Sequence, residues 1–230
     1  MAEPGLGTPL DEAVLARRQT LPVKPDAVTL TGQLVQLRPL DLDQDLSTLF
    51  AISNGEPASL GTASVDAYDA ERLIWRYMSA GPFADAEGLA GWLRGQENTP
   101  NTRVLTVVQL ASGQPIGTVS YMANMPEHLK VELGSIWYSP LVQRAGANTE
   151  ATYLMLKHAF ELGYRRVEWK CDALNARSRK AALGMGFKFE GIQEAHYIIK
   201  GRNRDTAWFR ILDREWPAVR ELLESKLARR

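Results

Sequence analysis

Between Val131 and Cys171 a strand, a glycine-bearing loop, a long helix and a second strand follow one another, and no other stretch restricts the fold as much. Val131 to Tyr138 reads as a strand. Thr149 to Leu162 reads as a helix, with Ala151, Leu154, Met155, Ala159 and Leu162 forming an apolar stripe at helical spacing. Arg166 to Cys171 is the second strand. Two strands joined through one helix run parallel, and the crossover is right-handed. A ligand then belongs at the carboxyl end of the first strand, against the amino end of the helix.

The rest of the chain supplies antiparallel partners. Arg103–Leu110 and Ile116–Met122 are strands joined by the turn Ala111–Gln114. Phe187–Ile199 and Asp205–Leu212 form a hairpin across Gly201–Asn203, and Leu34–Pro39 alternates like a strand. Helices are expected over Asp41–Phe50, Asp69–Ser79, Asp85–Gln96 and Ser178–Met185, three of them opened by an aspartate that can cap them, and a last one near Pro217. The expected class is α/β: a mixed, mostly antiparallel sheet with one parallel βαβ unit, flanked by helices. Residues 1–27, with Pro4, Pro9, Pro22 and Pro25 around a short helix Asp11–Gln19, read as an N-terminal arm, and residues 28–230 as a single domain.

Charge narrows the function. The 27 Lys and Arg residues balance 27 Asp and Glu residues, which speaks against nucleic acid and against an anionic membrane surface as partners. The balance is uneven along the chain: residues 1–140 carry −7 and residues 141–230 carry +7, leaving room for a local anion site in the second half. A single cysteine, Cys171, excludes an intramolecular disulfide and a thiolate metal cluster. His128, His158 and His196 lack metal-ligand spacing, and Asp41-Leu-Asp43-Gln-Asp45 fails as a calcium loop because Leu46 and Ile52 stand where glycine and glutamate are needed. No metal is expected. Neither a P-loop nor a dinucleotide fingerprint occurs. Without a signal-like start or an apolar run of ~18–20 residues, the expected location is the cytoplasm.

The connecting loop, Ser139-Pro-Leu-Val-Gln-Arg-Ala-Gly-Ala-Asn-Thr149, places small residues just before a helix, where backbone N–H groups approach an anion closely. This run resembles motif A of the GNAT acyl-CoA N-acyltransferases, Q/R-x-x-G-x-G/A: Gln143 and Gly146 match, and Asn148 replaces the final small residue. The segment Val167–Gly191, with Asn175-Ala-Arg-Ser178 before a helix and then Gly186-Phe187, resembles motif B. Leu30–Pro39, Asn148–Ala151, His158–Glu161 and Gly201–Trp208 resemble the ribosomal-protein N-terminal acetyltransferase (RimJ/RimL-like) branch.

The resemblance implies the GNAT fold and direct transfer of an acetyl group from acetyl-CoA to an amine. It places the pyrophosphate on Gln143, Arg144, Ala145, Gly146, Ala147, Asn148 and Thr149, and the pantetheine arm where the two parallel strands part, beside Asn175. Arg144, Arg177, Arg179 and Lys180 are candidates for the adenosine phosphates. Glu132 is the candidate base, acting directly or through a water. A backbone N–H of 134–136 would hold the oxyanion, especially if Gly134 marks a bulge. Ser178 is read either as the helix N-cap or as the group that meets the departing thiolate. Tyr138 and Tyr153 are weaker candidate acids. The acceptor, a protein N-terminus, an amino acid or another small amine, would sit between region 54–83 and the last hairpin; the six tryptophans read as core, with Trp75 and Tyr77 as the alternative acceptor lining. The acidic first half would suit a cationic acceptor. A non-catalytic acyl-CoA-binding sensor is the alternative, and dimers are common in the family.

Overall fold

The computed structural model describes residue 7, residues 9–143 and residues 145–229; Arg144, one of the expected loop residues, lies outside them. Eight strands form one sheet: β1 (Leu30–Thr31), β2 (Val35–Pro39), β5 (Arg103–Gln109), β6 (Gln114–Met125), β7 (Lys130–Tyr138), β8 (Arg166–Asp172), β9 (Lys188–Ile199) and β10 (Arg202–Leu212). Their order is β1-β2-β5-β6-β7-β8-β10-β9, and only the β7–β8 pairing is parallel. A separate small hairpin pairs β3 (Ala58–Leu60) with β4 (Ala63–Val65).

Helices cover both faces. On one, α4 (Ala147–Glu161), α5 (Ala176–Gly184) and α6 (Trp216–Ala228) bury Ala151, Met155, Ala182 and Leu223 against Leu37, Leu105, Val131, Leu133, Val167 and Phe209. On the other, α2 (Leu42–Ala51) and α3 (Ala86–Glu97) pack Leu49, Leu89 and Leu93 over Val104 and Trp137. Asp41 accepts the N–H groups of Asp43 and Gln44, and Asp85 accepts that of Gly88, so both aspartates cap as their positions foretell. In the N-terminal region α1 (Glu12–Ala16) gives way to a 3-10 turn, Arg17–Gln19. Asn124 then ties the following chain to the sheet by donating to the carbonyls of Pro22 and Val23.

Two expectations need correction. The helix over Asp69–Ser79 shrinks to one wide π-turn, Glu71–Trp75, in which the Arg76 N–H reaches the Glu71 carbonyl at 2.7 Å. The wide turn carries Trp75 inward against Phe83, Trp92 and Trp137, with ring centroids 5.0, 5.6 and 5.2 Å away, and its indole N–H bonds the Ser53 carbonyl. Burying a whole indole with its N–H satisfied outweighs regular helix continuation. Trp75 is therefore core and lines no acceptor pocket. In α4 the stripe is also rotated: Leu156 is fully buried while Leu162 is 42% exposed. Leu162 caps the helix end, where the chain turns at Gly163.

One buried carboxylate fixes where α4 begins. Glu150, in its first turn, accepts the N–H groups of Gln33, Leu34 and Val35 at 2.9, 2.7 and 2.8 Å. Gly32 leaves the room, since a Cβ there would stand 2.4 Å from the Glu150 carboxyl carbon. Glu150→Ala strands these donors and should cost about 2–4 kcal/mol in urea unfolding, well above an exposed helix substitution such as Lys157→Ala.

Candidate active site

The parallel pairing of β7 and β8 is short. It runs over Lys130↔Arg166, Val131↔Val167 and Glu132↔Glu168 and then stops. Beyond Glu132, β7 bends toward β6 through a bulge between the pairs Ser120↔Gly134 and Thr118↔Trp137, with Ser135 in the left-handed region (φ 50°). β8 instead continues against β10 through Asp172. A wedge opens inside the sheet, and the edge of β7 that faced β8 has no strand partner there. The bulge falls where the sequence suggests, but Ser135 carries the unusual backbone. Gly134 has another reason: a Cβ on it would lie 2.8 Å from Glu132 Oε1 and 2.5 Å from Met122 Sδ.

Strand alternation sorts the side chains to two faces. Val131 and Leu133 point into the core with Val167, Trp169 and Cys171. Glu132 and Lys170 point the other way, and Lys170 Nζ meets Glu132 Oε2 at 2.8 Å across the wedge. Burial raises the Glu132 pKa and the Lys170 ammonium draws it partly back, leaving it at about 7. Burial works against the Lys170 ammonium, but Glu132 more than compensates, so its pKa stands above the ordinary value.

The surroundings of this pair come from the last hairpin. Lys170 Nζ lies 5.3 Å from the Trp208 ring and 5.8 Å from that of Tyr197; Arg204 lies 5.6 Å from the same Tyr197 ring. His196 stacks on Tyr197 at 3.9 Å, and burial with the charges of Lys170 and Arg204 lowers its pKa. The region 54–83 meets this hairpin: Lys200 bonds the Trp75 carbonyl and Glu71. Tyr77 reaches the Leu174 carbonyl.

Across the sheet lies the loop before α4. Gly146 takes the left-handed region (φ 94°) at the helix start, and Glu150 is the first residue whose N–H bonds back, to the Gly146 carbonyl. The N–H groups of Ala147, Asn148 and Thr149 are thus free of helical partners and gathered at a helix amino end. Asn148 Oδ1 is buried without a partner. Ala145 is exposed beside them, and the Gln143 amide donates to the carbonyls of Leu73 and Tyr138 at 3.4 Å. A pyrophosphate suits this cradle, because it offers free donors and a positive dipole end.

Asn175, not Ser178, caps α5: its side chain accepts the Ser178 N–H at 3.1 Å. Ser178 Oγ accepts the Trp169 indole N–H at 3.0 Å, and its own hydrogen faces the Cys171 thiol. Ser178 therefore lies on the α4–α5 side of the wedge and Glu132 on the opposite side. Tyr138 OH is buried without a partner, and burial pushes its pKa far up, so it keeps its proton. Tyr153 is tied to Glu224 on α6. Arg179 donates to the Ala173 carbonyl and lies over Phe189, and Arg177 donates to the carbonyls of Arg72 and Leu73, the latter shared with the Gln143 amide. Part of the chain's positive half is spent on ion pairs. Arg166, Lys188 and Arg210 are held by Glu168, Glu190 and Glu215 along the sheet. Sequence reasoning missed Lys170, which the β7–β8 pairing brings to Glu132, and Arg204 and His196, which the hairpin register brings to Lys170. Alternation within β8 was the one available signal, since it sets Lys170 apart from Trp169 and Cys171.

Comparison with known proteins agrees with this architecture. Residues 35–188 match the model of the acetyltransferase (GNAT) domain. A GCN5-related N-acetyltransferase from Brucella melitensis is 37% identical with a TM-score of 0.79, over 88% of this chain and 86% of that one. A GNAT-family structure from Chromobacterium violaceum is 33% identical with a TM-score of 0.78, over 94% of this chain and 100% of that one. At 15% identity and a TM-score of 0.64, over 80% of this chain and 99% of the other, an acetyl transferase of Salmonella typhimurium that modifies the N-terminal serine of a ribosomal protein shares the fold. No curated protein matches in sequence. The chain belongs to the GNAT acetyltransferases, enzymes that take an acetyl group from acetyl-CoA.

Removing the cation isolates its effect on the carboxylate. In Lys170→Met the Glu132 pKa should climb further above about 7, because burial then acts unopposed. Carbon-detected NMR titration of the glutamate carboxyls in both proteins reads the difference.

Proposed function

We propose that this chain is an acetyl-CoA-dependent N-acetyltransferase of the RimJ/RimL-like branch, acting directly on an amine within a ternary complex. The observation that carries the reading is the wedge between β7 and β8, with a buried carboxylate at its apex and an open helix amino end beside it. Bound acetyl-CoA supplies a thioester. The backbone of 145–149, with Gln143, holds its pyrophosphate, and Asn175 lies beside the pantetheine arm. Arg179 assists only by leaving Ala173.

Glu132 takes the proton from the acceptor ammonium on its side of the sheet. With a pKa of about 7 it is half ionised at neutral pH, basic enough to accept and ionised often enough to act. A backbone N–H along the bulge at 134–136 stabilises the negative charge that develops on the acetyl carbonyl oxygen. Ser178, on the opposite side, turns its hydroxyl hydrogen from the Cys171 thiol to the departing thiolate. Tyr138, with its proton firmly held, is a second donor. Amine and thiol are thus served from two faces, which suits a single displacement without an acyl-enzyme.

Acetyl-CoA at a hundred times its dissociation constant should stabilise the protein by about 2.7 kcal/mol in a thermal-shift titration; no shift would overturn the reading, a non-catalytic acyl-CoA sensor included. Thiol release with a panel of amines separates enzyme from sensor. With an accepted amine, kcat/KM should rise tenfold per pH unit below about 7 and flatten above it, since only ionised Glu132 acts. Glu132→Gln should lower kcat about 10²–10⁴-fold and abolish that rising limb. An unchanged profile would place the base elsewhere.

A further inference from the structure

The face that carries Glu132 holds more positive charge than its reaction uses. Lys170 is matched by Glu132 at 2.8 Å. Arg204, on β10, has neither an ion pair nor a hydrogen bond among the described residues, and its Nε is buried without a partner. The cross-strand pairs Arg204↔Tyr197 and Trp208↔Lys170 set it near this site. Lys170 and Arg204 lean on the same Tyr197 ring at 5.8 and 5.6 Å, and the charge of Arg204 is felt at Glu132, Lys170 and His196 alike.

Two further polar atoms of the same hairpin are buried and unpartnered: Thr206 Oγ1, on a residue with no exposure at all, and His196 Nδ1. A fold rarely leaves such atoms unsatisfied together without a use for them. The β9 bulge between Gln193 and Tyr197 creates the arrangement. It breaks the register opposite Asp205, with Ala195 in the left-handed region, and the Asp205 carboxylate holds the bulge by accepting the Ala195 N–H at 2.8 Å. Asp205 is thereby occupied, as is Asp172, which accepts the Leu174 N–H. Glu168 is held by Lys130 and Arg166. These three carboxylates are engaged, and Arg204 has no carboxylate partner among the described residues.

Resting on the reading of Glu132 as the base, we propose that the acceptor amine carries a carboxylate, as an amino acid does, and that Arg204 receives it with the Thr206 hydroxyl as a second donor. A guanidinium offers a planar fork that fits a carboxylate. The acceptor ammonium is drawn to Glu132 and the acid to Arg204, so a zwitterion is bound at both ends. A polyamine brings only positive charge to a face already holding Lys170 and Arg204. This departs from the cationic acceptor that the acidic first half of the chain suggests, because the cations nearest Glu132, Lys170 and Arg204, come from the second half.

The test uses matched pairs: each common amino acid, and β-alanine, against its own carboxamide, in the thiol-release assay with acetyl-CoA. At least one acid should be preferred over its amide by about tenfold or more in kcat/KM, the discrimination expected when a buried donor set is left unpaired. Arg204→Met should bring that ratio to about one, while Arg204→Lys keeps part of it and acetyl-CoA stabilises all three proteins equally. Isothermal titration of acid and amide into CoA-loaded protein repeats the comparison without turnover. Equal use of acids and amides, no preference in either assay, or a preference that survives in Arg204→Met overturns the proposal. Loss of acetyl-CoA stabilisation in the native protein would instead overturn the acetyltransferase reading itself.

Discussion

Between β7 and β8 the sheet is held for three residue pairs and then parts, and everything else at the site depends on that parting. Backbone groups in the interior of a sheet are normally paired, so an open seam there is costly unless something else meets them. The bulge at Ser135 starts the divergence by turning β7 toward β6, while β8 is held to β10 over seven pairs. The Lys170–Glu132 ion pair spans the gap, since its two members come from the two diverging strands. Segment 71–77 closes the mouth from outside, bonded to Gln143, Leu174, Arg177 and Lys200.

Around this seam the chemistry is divided by the pleat. Odd-numbered residues of β7 and β8 before the bulge face the helical core; even-numbered ones face the acceptor side. On the proposed reading, the carboxylate with its pKa near neutrality faces the side from which the amine comes. On the same reading, Ser178, which accepts from the Trp169 indole and faces the Cys171 thiol, lies on the side from which the thiol leaves. Neither group needs to move, because the sheet is the partition between them. Glu150 keeps the third element in place, since three backbone N–H groups of the β1–β2 turn fix the first turn of α4 and with it the cradle at Ala147–Thr149.

The neutral total charge hides how the charges are used. The excess of base after residue 140 suggests a phosphate site, yet Arg166, Lys188 and Arg210 are absorbed by glutamates along the sheet. The proposed phosphate loop offers backbone N–H groups instead, which carry no formal charge and so are invisible in composition. The positive charges that matter near the base, Lys170 and Arg204, arrive through strand register.

Local pattern determined a good deal. Strand alternation, helical spacing and aspartate caps gave α2, α3, the β5–β6 turn and the crossover from β7 through α4 to β8, because each depends on contacts close in sequence. The motif around Gly146 located the cradle for the same reason: a left-handed glycine before a helix is a local event. Tertiary structure decided the rest. Trp75 turned inward, and the expected helix around it became a single wide turn, because three distant rings make a better neighbour than solvent. The cap of α5 proved to be Asn175 rather than Ser178, a difference of three residues that only the backbone angles resolve. Glu132 was visible as a strand glutamate, but its burial, its pKa and its tie to Lys170 were not, since they arise where strands far apart in sequence are brought side by side.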